Sequence, residues 1–333
     1  MSFTLNDFDY HLPEELIAQK PAEPRDHSRL LVYNRETGEI RDDFFYNIGN
    51  HLPEGTSLVV NNSKVEKCRL LFNEGRVEVF VTKAVNDRVV EAMVRPGKRF
   101  KVGKETELAD GVTAKTVHIA EDGIRTIELS HPLHDPKLEP HKYTPFPPYI
   151  ERDESLSDRY QTVFAKDLGS KAAPTAGLHF TPELLQKLEN RGIQKKEVTL
   201  HVGLGTFAPV KTDKIEEHIM HSEWFQITGE QAEALNNSKS ITAVGTTCVR
   251  VLESAPKVKG EFQASSGETD IFIMPGYTFR SVDHLITNFH LPKSTLLMLI
   301  SAFAGFDEVK KIYEHAIAQK YRFYSFGDAM FII

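Results

Sequence analysis

The chain is poor in cysteine and tryptophan. Its 333 residues include two cysteines, Cys68 and Cys248, and a single tryptophan. Two cysteines far apart and outside any C-x-x-C pair exclude a disulfide framework and argue against a cysteine-ligated zinc site. A chain of this length can bury a core large enough to fold without crosslinks or a metal. We therefore expect a protein of a reducing compartment, the cytoplasm.

Long apolar runs and an excess of positive charge are also absent. The longest apolar run, residues 296–303, is interrupted by Ser301 and is too short to span a bilayer. The first ten residues lack a basic stretch followed by an apolar one, so we expect no signal peptide. The formal net charge of -7 argues weakly against a nucleic-acid partner unless cations cluster locally. Composition alone favours a metabolic enzyme without membrane attachment.

The spacing of apolar residues divides the chain into regions. Residues 30–34 and 40–45 flank a glycine turn and predict a hairpin. Between about residues 64 and 144, short alternating segments and glycine turns predict a small antiparallel sheet or barrel. From about residue 150 onward, strands alternate with helices, as in α/β proteins. We predict a mixed α/β main domain, barrel-like or layered, of residues 1–62 and 145–333, with an inserted antiparallel β-barrel domain of residues 63–144.

Local signals locate individual elements. Thr181 followed by a proline and a glutamate predicts a capped helix, and residues 228–231 form a capping-box pattern before another. Pro13 followed by two glutamates predicts a helix through Gln19. Residues 270–274 predict a strand, because four of the five are apolar.

Small and polar residues cluster where predicted strands pass into helices, which is where open α/β domains bind ligands. Gly203 and Gly205 follow one strand and would let the backbone approach a ligand closely. Thr246 and Thr247 follow Gly245 at a helix start, where free backbone N–H groups favour an anion. Any one of these loops is more often a plain turn and cap. Spacing alone therefore predicts a ligand-binding α/β enzyme without specifying its reaction.

Five cations occur within residues 95–104 of this acidic chain. A solvated turn would explain them equally well. On an RNA-facing surface they would give an acidic protein a local site for phosphates. The candidate RNA-binding residues are Arg95, Lys98, Arg99 and Lys101.

Seven longer segments carry the most specific signal. They are residues 8–19, 172–181 (AAPTAGLHFT), 200–207, 244–250 (VGTTCVR), 269–276, 285–298 (LITNFHLPKSTLLM) and 322–330. In this order, these segments resemble those of the S-adenosylmethionine:tRNA ribosyltransferase-isomerase family of queuosine biosynthesis. The fold of that family, an α/β domain interrupted by a β-barrel domain, agrees with the organisation predicted above.

The resemblance implies a reaction. S-adenosylmethionine serves as a co-substrate, and its ribosyl part is transferred to the 7-aminomethyl-7-deazaguanine base at the tRNA wobble position. The ribosyl group is isomerised to give epoxyqueuosine, adenine and methionine are released, and no metal takes part. The implied partner is a tRNA with a GUN-type anticodon, and we expect a monomer.

The same resemblance implies candidate site residues. Histidine suits proton transfer near neutral pH, so His179, His201 and His290 are the catalytic candidates. The substrate-binding candidates are Thr175, Gly177, Gly203, Gly205, Thr206, Thr246, Thr247, Arg250, Asp270, Asn288 and Asp328. Within this set, Thr246, Thr247 and Arg250 are assigned to the methionine carboxylate. Asp270 or Asp328 is assigned to ribose hydroxyls or an amino group.

One segment departs from the family pattern. Where the family has Asn-Asp-Thr-Arg, this chain has Asn61, Asn62, Ser63 and Lys64. Lysine cannot reproduce the bidentate fork of arginine. A non-catalytic or retargeted tRNA-binding paralogue is therefore the second hypothesis. A methyltransferase is a third, disfavoured because no glycine-rich strand-turn-helix signature is present.

Overall fold

The chain divides into two compact units. The computed structural model describes residues 3–203, 205, 210 and 212–333. The main unit comprises Met1–Lys64 and Pro147–Ile333, and the second unit comprises Val65–Phe146. No helix in the described ranges is long and apolar enough to cross a membrane.

The elements follow one another in this order along the chain. The strands are β1 (Arg29–Tyr33), β2 (Ile40–Phe44), β3 (Thr56–Asn61), β4 (Ser63–Val65), β5 (Arg69–Phe72), β6 (Val77–Ala84), β7 (Val89–Arg95), β8 (Glu105–Ala109), β9 (Val112–Ile119), β10 (Arg125–Leu129), β11 (Lys142–Tyr143), β12 (Asp167–Ser170), β13 (Gln194–Leu200), β14 (Glu223–Ile227), β15 (Ser240–Val244), β16 (Lys257–Val258), β17 (Glu261–Phe262), β18 (Ser265–Thr269), β19 (His284–Asn288) and β20 (Ala329–Ile332). The α-helices are α1 (Pro182–Asn190), α2 (Gly229–Asn236), α3 (Thr246–Ser254), α4 (Thr295–Ala304) and α5 (Phe306–Ala318).

A nine-stranded mixed sheet forms the centre of the main unit. Its strand order is β18-β14-β13-β3-β15-β19-β20-β1-β2. Strand β3 lies between β13 and β15, parallel to both, and β15 is parallel to β19. Every residue of β3 is buried, as expected for a strand covered on both faces. The predicted hairpin of β1 and β2 is confirmed.

Apolar side chains on opposite faces of the sheet enter two different cores. Val59 of β3 packs into the core that contains residues of α2 to α5, whereas Leu58 and Val60 pack into the core that contains Leu184 and Leu188 of α1. Successive side chains of a strand point to opposite faces, so this division is what a covered sheet requires. The main unit is therefore layered.

The helix-start predictions are confirmed where a side chain caps the helix. Thr181 Oγ1 accepts the Leu184 N–H at 3.1 Å, and Pro182 occupies the first turn of α1. Thr228 and Gln231 form the reciprocal capping box of α2, with hydrogen bonds of 2.9 and 3.2 Å. These bonds use N–H groups that the first helical turn leaves without intrahelical acceptors.

Two predicted elements are wrong. The expected helix from Pro13 to Gln19 is a short 3-10 turn, Glu14–Leu16, after which the chain is extended, and Ala18 N–H donates to Phe323 O at 3.2 Å. The expected strand at residues 270–274 is absent from this part of the described chain, and strand β18 ends just before it, at Thr269. At Ala18, long-range pairing sets the backbone conformation, which local patterning cannot show.

The second unit contains a seven-stranded antiparallel sheet. Its strand order is β11-β5-β6-β7-β10-β9-β8. The short alternating segments predicted between about residues 64 and 144 are confirmed as strands, among them β6, β7, β9 and β10. Strand β9 buries Val112, Ala114 and Thr116 and leaves the residues between them partly or fully exposed, so one face of the sheet covers a core.

Candidate functional site

A cavity that is open to solvent lies within the main unit. Its wall includes five of the candidate residues, which are Thr175, Thr246, Thr247, Asn288 and His290. Parallel strands β15 and β19 both end here, at Val244 and Asn288. The carboxyl ends of parallel strands are where α/β sheets place their ligands. Distant segments of the chain therefore meet at one cavity.

The N-terminus of α3 forms one side of the cavity. Gly245 precedes it with a φ of +89°, a backbone conformation that favours glycine. No side chain caps this helix, and among the described residues Thr247 Oγ1 is a buried oxygen without a hydrogen-bond partner. The first N–H groups of a helix carry partial positive charge. This wall can therefore receive an anionic group.

Two tyrosines form an aromatic part of the cavity wall. The rings of Tyr149 and Tyr324 lie 4.7 Å apart, and the Tyr149 hydroxyl is 2.9 Å from Ser325 Oγ. Tyr324 has a φ of +71°, which is strained for a bulky residue. Burial raises the pKa of Tyr149 to about 12, so its phenol is neutral at pH 7. Sequence reasoning missed both residues, although Tyr324 lies in the segment 322–330 that carries the family resemblance.

Of the three candidate histidines, His290 lines the cavity. Its ring Nε2 lies 2.9 Å from Thr287 Oγ1, and its carbonyl oxygen accepts a hydrogen bond from the Tyr10 hydroxyl. Burial lowers the pKa of His290 to about 3, so the ring is neutral at pH 7. This histidine can therefore accept a proton only as a weak base.

The other two histidines lie outside the cavity wall. His179 is buried behind Asn288, with its Nε2 3.2 Å from the Asn288 Nδ2. His201 stacks on Trp224, with ring centroids 4.9 Å apart and planes 15° apart. Burial lowers the pKa of His201. The structure therefore does not bring the three expected catalytic histidines together.

Arg250 lines a second, smaller cavity together with Gly205. Its guanidinium forms an ion pair with the buried carboxylate of Glu223 and donates to Thr269 O at 3.2 Å. The Glu223 carboxylate also accepts the Gly203 N–H at 2.7 Å. Arg250 therefore binds Glu223. It does not line the cavity with Thr246 and Thr247, the two residues with which it was expected to bind the methionine carboxylate.

Comparison with known proteins identifies the family. The family model described as queuosine biosynthesis protein matches residues 5–332. The chain belongs to this queuosine biosynthesis family. Among its relatives, S-adenosylmethionine:tRNA ribosyltransferase-isomerases from Desulfitobacterium hafniense and Carboxydothermus hydrogenoformans are 48% and 50% identical, over 99% of both chains in each case. The crystal structure of an S-adenosylmethionine tRNA ribosyltransferase from Thermotoga maritima shares 38% identity and a TM-score of 0.57, covering 98% of this chain and 100% of that one.

The remaining candidates of the family motifs have other environments. Gly177 is buried so tightly that a Cβ would lie 2.7 Å from Phe164 Cζ. The buried Asp328 accepts the backbone N–H groups of Arg29 and Arg322 at 3.0 and 2.8 Å, so it holds a turn together. Asp270 is exposed, and neither aspartate lines the cavity. Thr206 lies outside the described residues.

The candidate RNA-binding residues of this family member lie on the second unit. Lys98 and Lys101 are exposed, Arg95 pairs with Glu78 at 3.2 Å, and Arg99 donates to Glu107 O at 3.4 Å. Basic residues slightly outnumber acidic ones within Val65–Phe146, whereas the whole chain has a net charge of -7. The second unit is therefore the less acidic part of the chain.

The departure from the family pattern forms hydrogen bonds inside the main unit. Asn61 bonds both backbone groups of Leu200, at 2.9 and 3.0 Å. The fully buried Asn62 donates to Glu197 Oε2 at 3.3 Å and accepts from Thr199 Oγ1 at 2.8 Å. An acid in place of Asn62 would face the Glu197 carboxylate. The amide at this position therefore suits its neighbours, and it lies outside the cavity wall.

The buried histidines predict a loss of stability in acid. His179 and His290 have pKa values lowered from 6.5 to about 3 in the folded chain, chiefly by burial. Above about pH 6.5 both histidines are neutral in the folded and in the unfolded chain. Their titration therefore does not change the free energy of unfolding in that range. Between about pH 6.5 and 3 the unfolded chain binds protons that the folded chain does not, so the free energy of unfolding falls by up to about 1.4 kcal/mol per pH unit for each histidine.

Urea unfolding at pH 7, 6 and 5 measures this dependence. The variant His290→Gln carries no titrating ring, so its free energy of unfolding should change less steeply with pH than that of the wild type. Parallel pH dependences for the two proteins would contradict a neutral, buried His290.

Proposed function

We propose that this chain is an S-adenosylmethionine:tRNA ribosyltransferase-isomerase. It transfers the ribosyl part of S-adenosylmethionine to the 7-aminomethyl-7-deazaguanine base at the wobble position of a tRNA with a GUN-type anticodon. The ribosyl group is isomerised to give epoxyqueuosine, and adenine and methionine are released. Relatives of 48% and 50% identity over almost the whole chain carry this name. The structural observation that supports it is the cavity to which the family segments contribute polar groups.

The chemistry of the cavity wall suits S-adenosylmethionine. The N-terminus of α3 would receive the methionine carboxylate at Thr246 and Thr247, as helix N-termini bind anions. The neutral rings of Tyr149 and Tyr324 can stack against the adenine, and the faces of these rings can attract the sulfonium cation. His290 is the acid–base candidate in the wall, since removal of a 5′ proton next to the sulfonium requires a base.

Product analysis tests this function directly. The protein is incubated with S-adenosylmethionine and a tRNA that carries the deazaguanine base, and we expect adenine and methionine in equal amounts together with the modified tRNA. S-adenosylhomocysteine would instead mean methyl transfer. Binding of tRNA without turnover would mean the paralogue that the Asn62 and Lys64 departure suggested, although Asn62 and Lys64 do not line the cavity.

The finer architecture belongs to the same proposal. Residues 63–144 form an antiparallel β-barrel domain inserted into a catalytic α/β domain of residues 1–62 and 145–333. The support is the compactness of Val65–Phe146 and the antiparallel pairing of its seven strands. The enzyme acts as a monomer in the cytoplasm, where its tRNA substrate is found, and it uses no metal.

The second unit supplies part of the tRNA-binding surface in this proposal. Replacing Lys98, Arg99 and Lys101 by alanine should weaken tRNA binding and reduce its salt dependence, because each phosphate contact releases counterions. Loss of three contacts would lower the affinity by about 10-fold or more at moderate salt. Titrations with tRNA at several salt concentrations measure both effects, and binding of S-adenosylmethionine should be unchanged.

A charge-matched control distinguishes the loss of contacts at a local surface from the effect of a changed net charge on tRNA binding. Replacing the exposed Lys187, Lys259 and Lys310 of the main unit by alanine removes the same charge. If both triple variants bind tRNA equally well, the surface lies elsewhere, and Arg152, Arg159 and Lys166 become the next candidates.

A further inference from the structure

The side-chain amide of Asn288 has one possible orientation. Its Nδ2 lies 3.1 Å from the carbonyl oxygen of Tyr324, an atom that can only accept a hydrogen bond. Exchanging the amide oxygen and nitrogen would place two acceptors against each other. The nitrogen therefore faces Tyr324 and His179, and Oδ1 is the free end of the amide.

That free oxygen belongs to a residue of the cavity wall. Among the described residues, Asn288 Oδ1 has no hydrogen-bond partner, although Asn288 is 1% exposed. Leaving a buried acceptor unsatisfied costs about 1–3 kcal/mol. Because Asn288 lines the cavity, a ligand bound there is a source of the missing donor.

The orientation of Asn288 also fixes the tautomer of His179. Because Nδ2 donates, His179 Nε2 at 3.2 Å must accept, and the ring proton resides on Nδ1. Nδ1–H then donates to Ser28 Oγ at 2.7 Å, and the ring packs beside Phe45 with centroids 5.0 Å apart. Burial first, and then the charge of Arg322, lower the pKa of His179 to about 3. The ring is therefore a neutral acceptor.

We infer that His179 is a positioning residue, which holds the Asn288 amide so that its Oδ1 accepts a hydrogen bond from an amino group of the substrate. This rests on the proposed function, which supplies amino groups on adenine and on the deazaguanine base. It replaces the acid–base role expected for His179. The series of hydrogen bonds from Ser28 through His179 to Asn288 orients the acceptor Oδ1 of Asn288 and transfers no proton.

Kinetics of four variants test the inference. His179→Phe keeps a ring but removes the acceptor, so the amide can turn, and kcat/KM should fall 10- to 100-fold, mainly through KM. Asn288→Ala should lose a similar factor. The double variant should lose no more than Asn288→Ala alone, because both changes remove the same interaction. His179→Gln, whose Oε1 can accept, should recover part of the loss.

Two other outcomes would overturn the inference. Additive losses in the double variant would mean that His179 acts independently of Asn288. A fall in kcat with a missing limb in the pH profile of kcat would mean that His179 transfers protons. The control is His51→Phe, since His51 bonds Asp43 at 2.7 Å and does not line the cavity; its KM should be unchanged.

Nitrogen NMR of the wild-type protein tests the same point without turnover. In protein labelled with ¹⁵N-histidine, the signals missing from His179→Gln belong to His179. They should show a neutral ring protonated on Nδ1 from pH 5 to 8. Protonation on Nε2, or titration near pH 6.5, would overturn the inference. If the wild type binds S-adenosylmethionine but releases no adenine, the proposed function is wrong, while the dissociation constants of the variants still test His179.

Discussion

Replacing Arg250 by methionine lowers the free energy of unfolding by about 3–5 kcal/mol, because it removes the guanidinium that pairs with the buried carboxylate of Glu223. Glu223 is 5% exposed, and its ion pair with Arg250 lies inside the main unit. Methionine fills a similar volume but cannot neutralise that charge. The single tryptophan, Trp224, is adjacent to Glu223, so its fluorescence reports urea unfolding.

A double variant separates the charge effect from packing. Combining Arg250→Met with Glu223→Gln removes both charges, so its free energy of unfolding should lie well above that of Arg250→Met alone. If Arg250→Met costs less than about 1 kcal/mol, the value of an exposed pair, then the charges are solvated in the folded chain.

Replacing Gly327 by alanine destabilises the chain by about 3 kcal/mol, at the upper end for an overpacked site. The new Cβ would lie 2.5 Å from Arg322 O and 2.6 Å from the Phe323 carbonyl carbon. These are backbone atoms, so the turn itself must move. That turn carries Tyr324 into the cavity wall, and we expect weaker binding of S-adenosylmethionine as well as a lower Tm.

Gly267→Ala is the matched control for this prediction. A Cβ at Gly267 would meet no atom of the described residues within 4 Å, and its φ is not in the left-handed region. Its Tm should stay close to that of the wild type. Equal Tm values for Gly327→Ala and Gly267→Ala would show that the turn can relax around a methyl group.

Local physics explains which elements the sequence predicts. Thr181 and Thr228 precede helices because their hydroxyls accept N–H groups of the first turn, and both bonds form. The segment after Pro13 carries the same kind of signal, yet it forms only a short 3-10 turn. There, the backbone of Ala18 pairs with Phe323, which is more than 300 residues away in the chain. Such pairing overrides a local preference.

The residues of the candidate site could likewise be predicted only where local signals mark them. Thr246, Asn288 and His290 could be predicted because each lies at or just after the carboxyl end of a strand. The partners of Arg250 and His179 could not, because Glu223 and Ser28 come from distant segments that only the folded sheet brings close. Tyr149 could not be predicted either, because its neighbours Gln19 and Tyr324 come from segments far away in the chain.

The topology of the main sheet has a consequence for synthesis on the ribosome. Strand β1 pairs with β20, and β3 pairs with β13 and β15, all made after the second unit. The strands of Val65–Phe146 pair within one contiguous segment, so they can fold as soon as they emerge. Until β13, β15 and β20 are synthesised, the early strands β1 to β3 have unpaired edges, and unpaired strand edges promote aggregation. The nascent chain is therefore most vulnerable between translation of β3 and β20, the interval in which chaperones have most to protect.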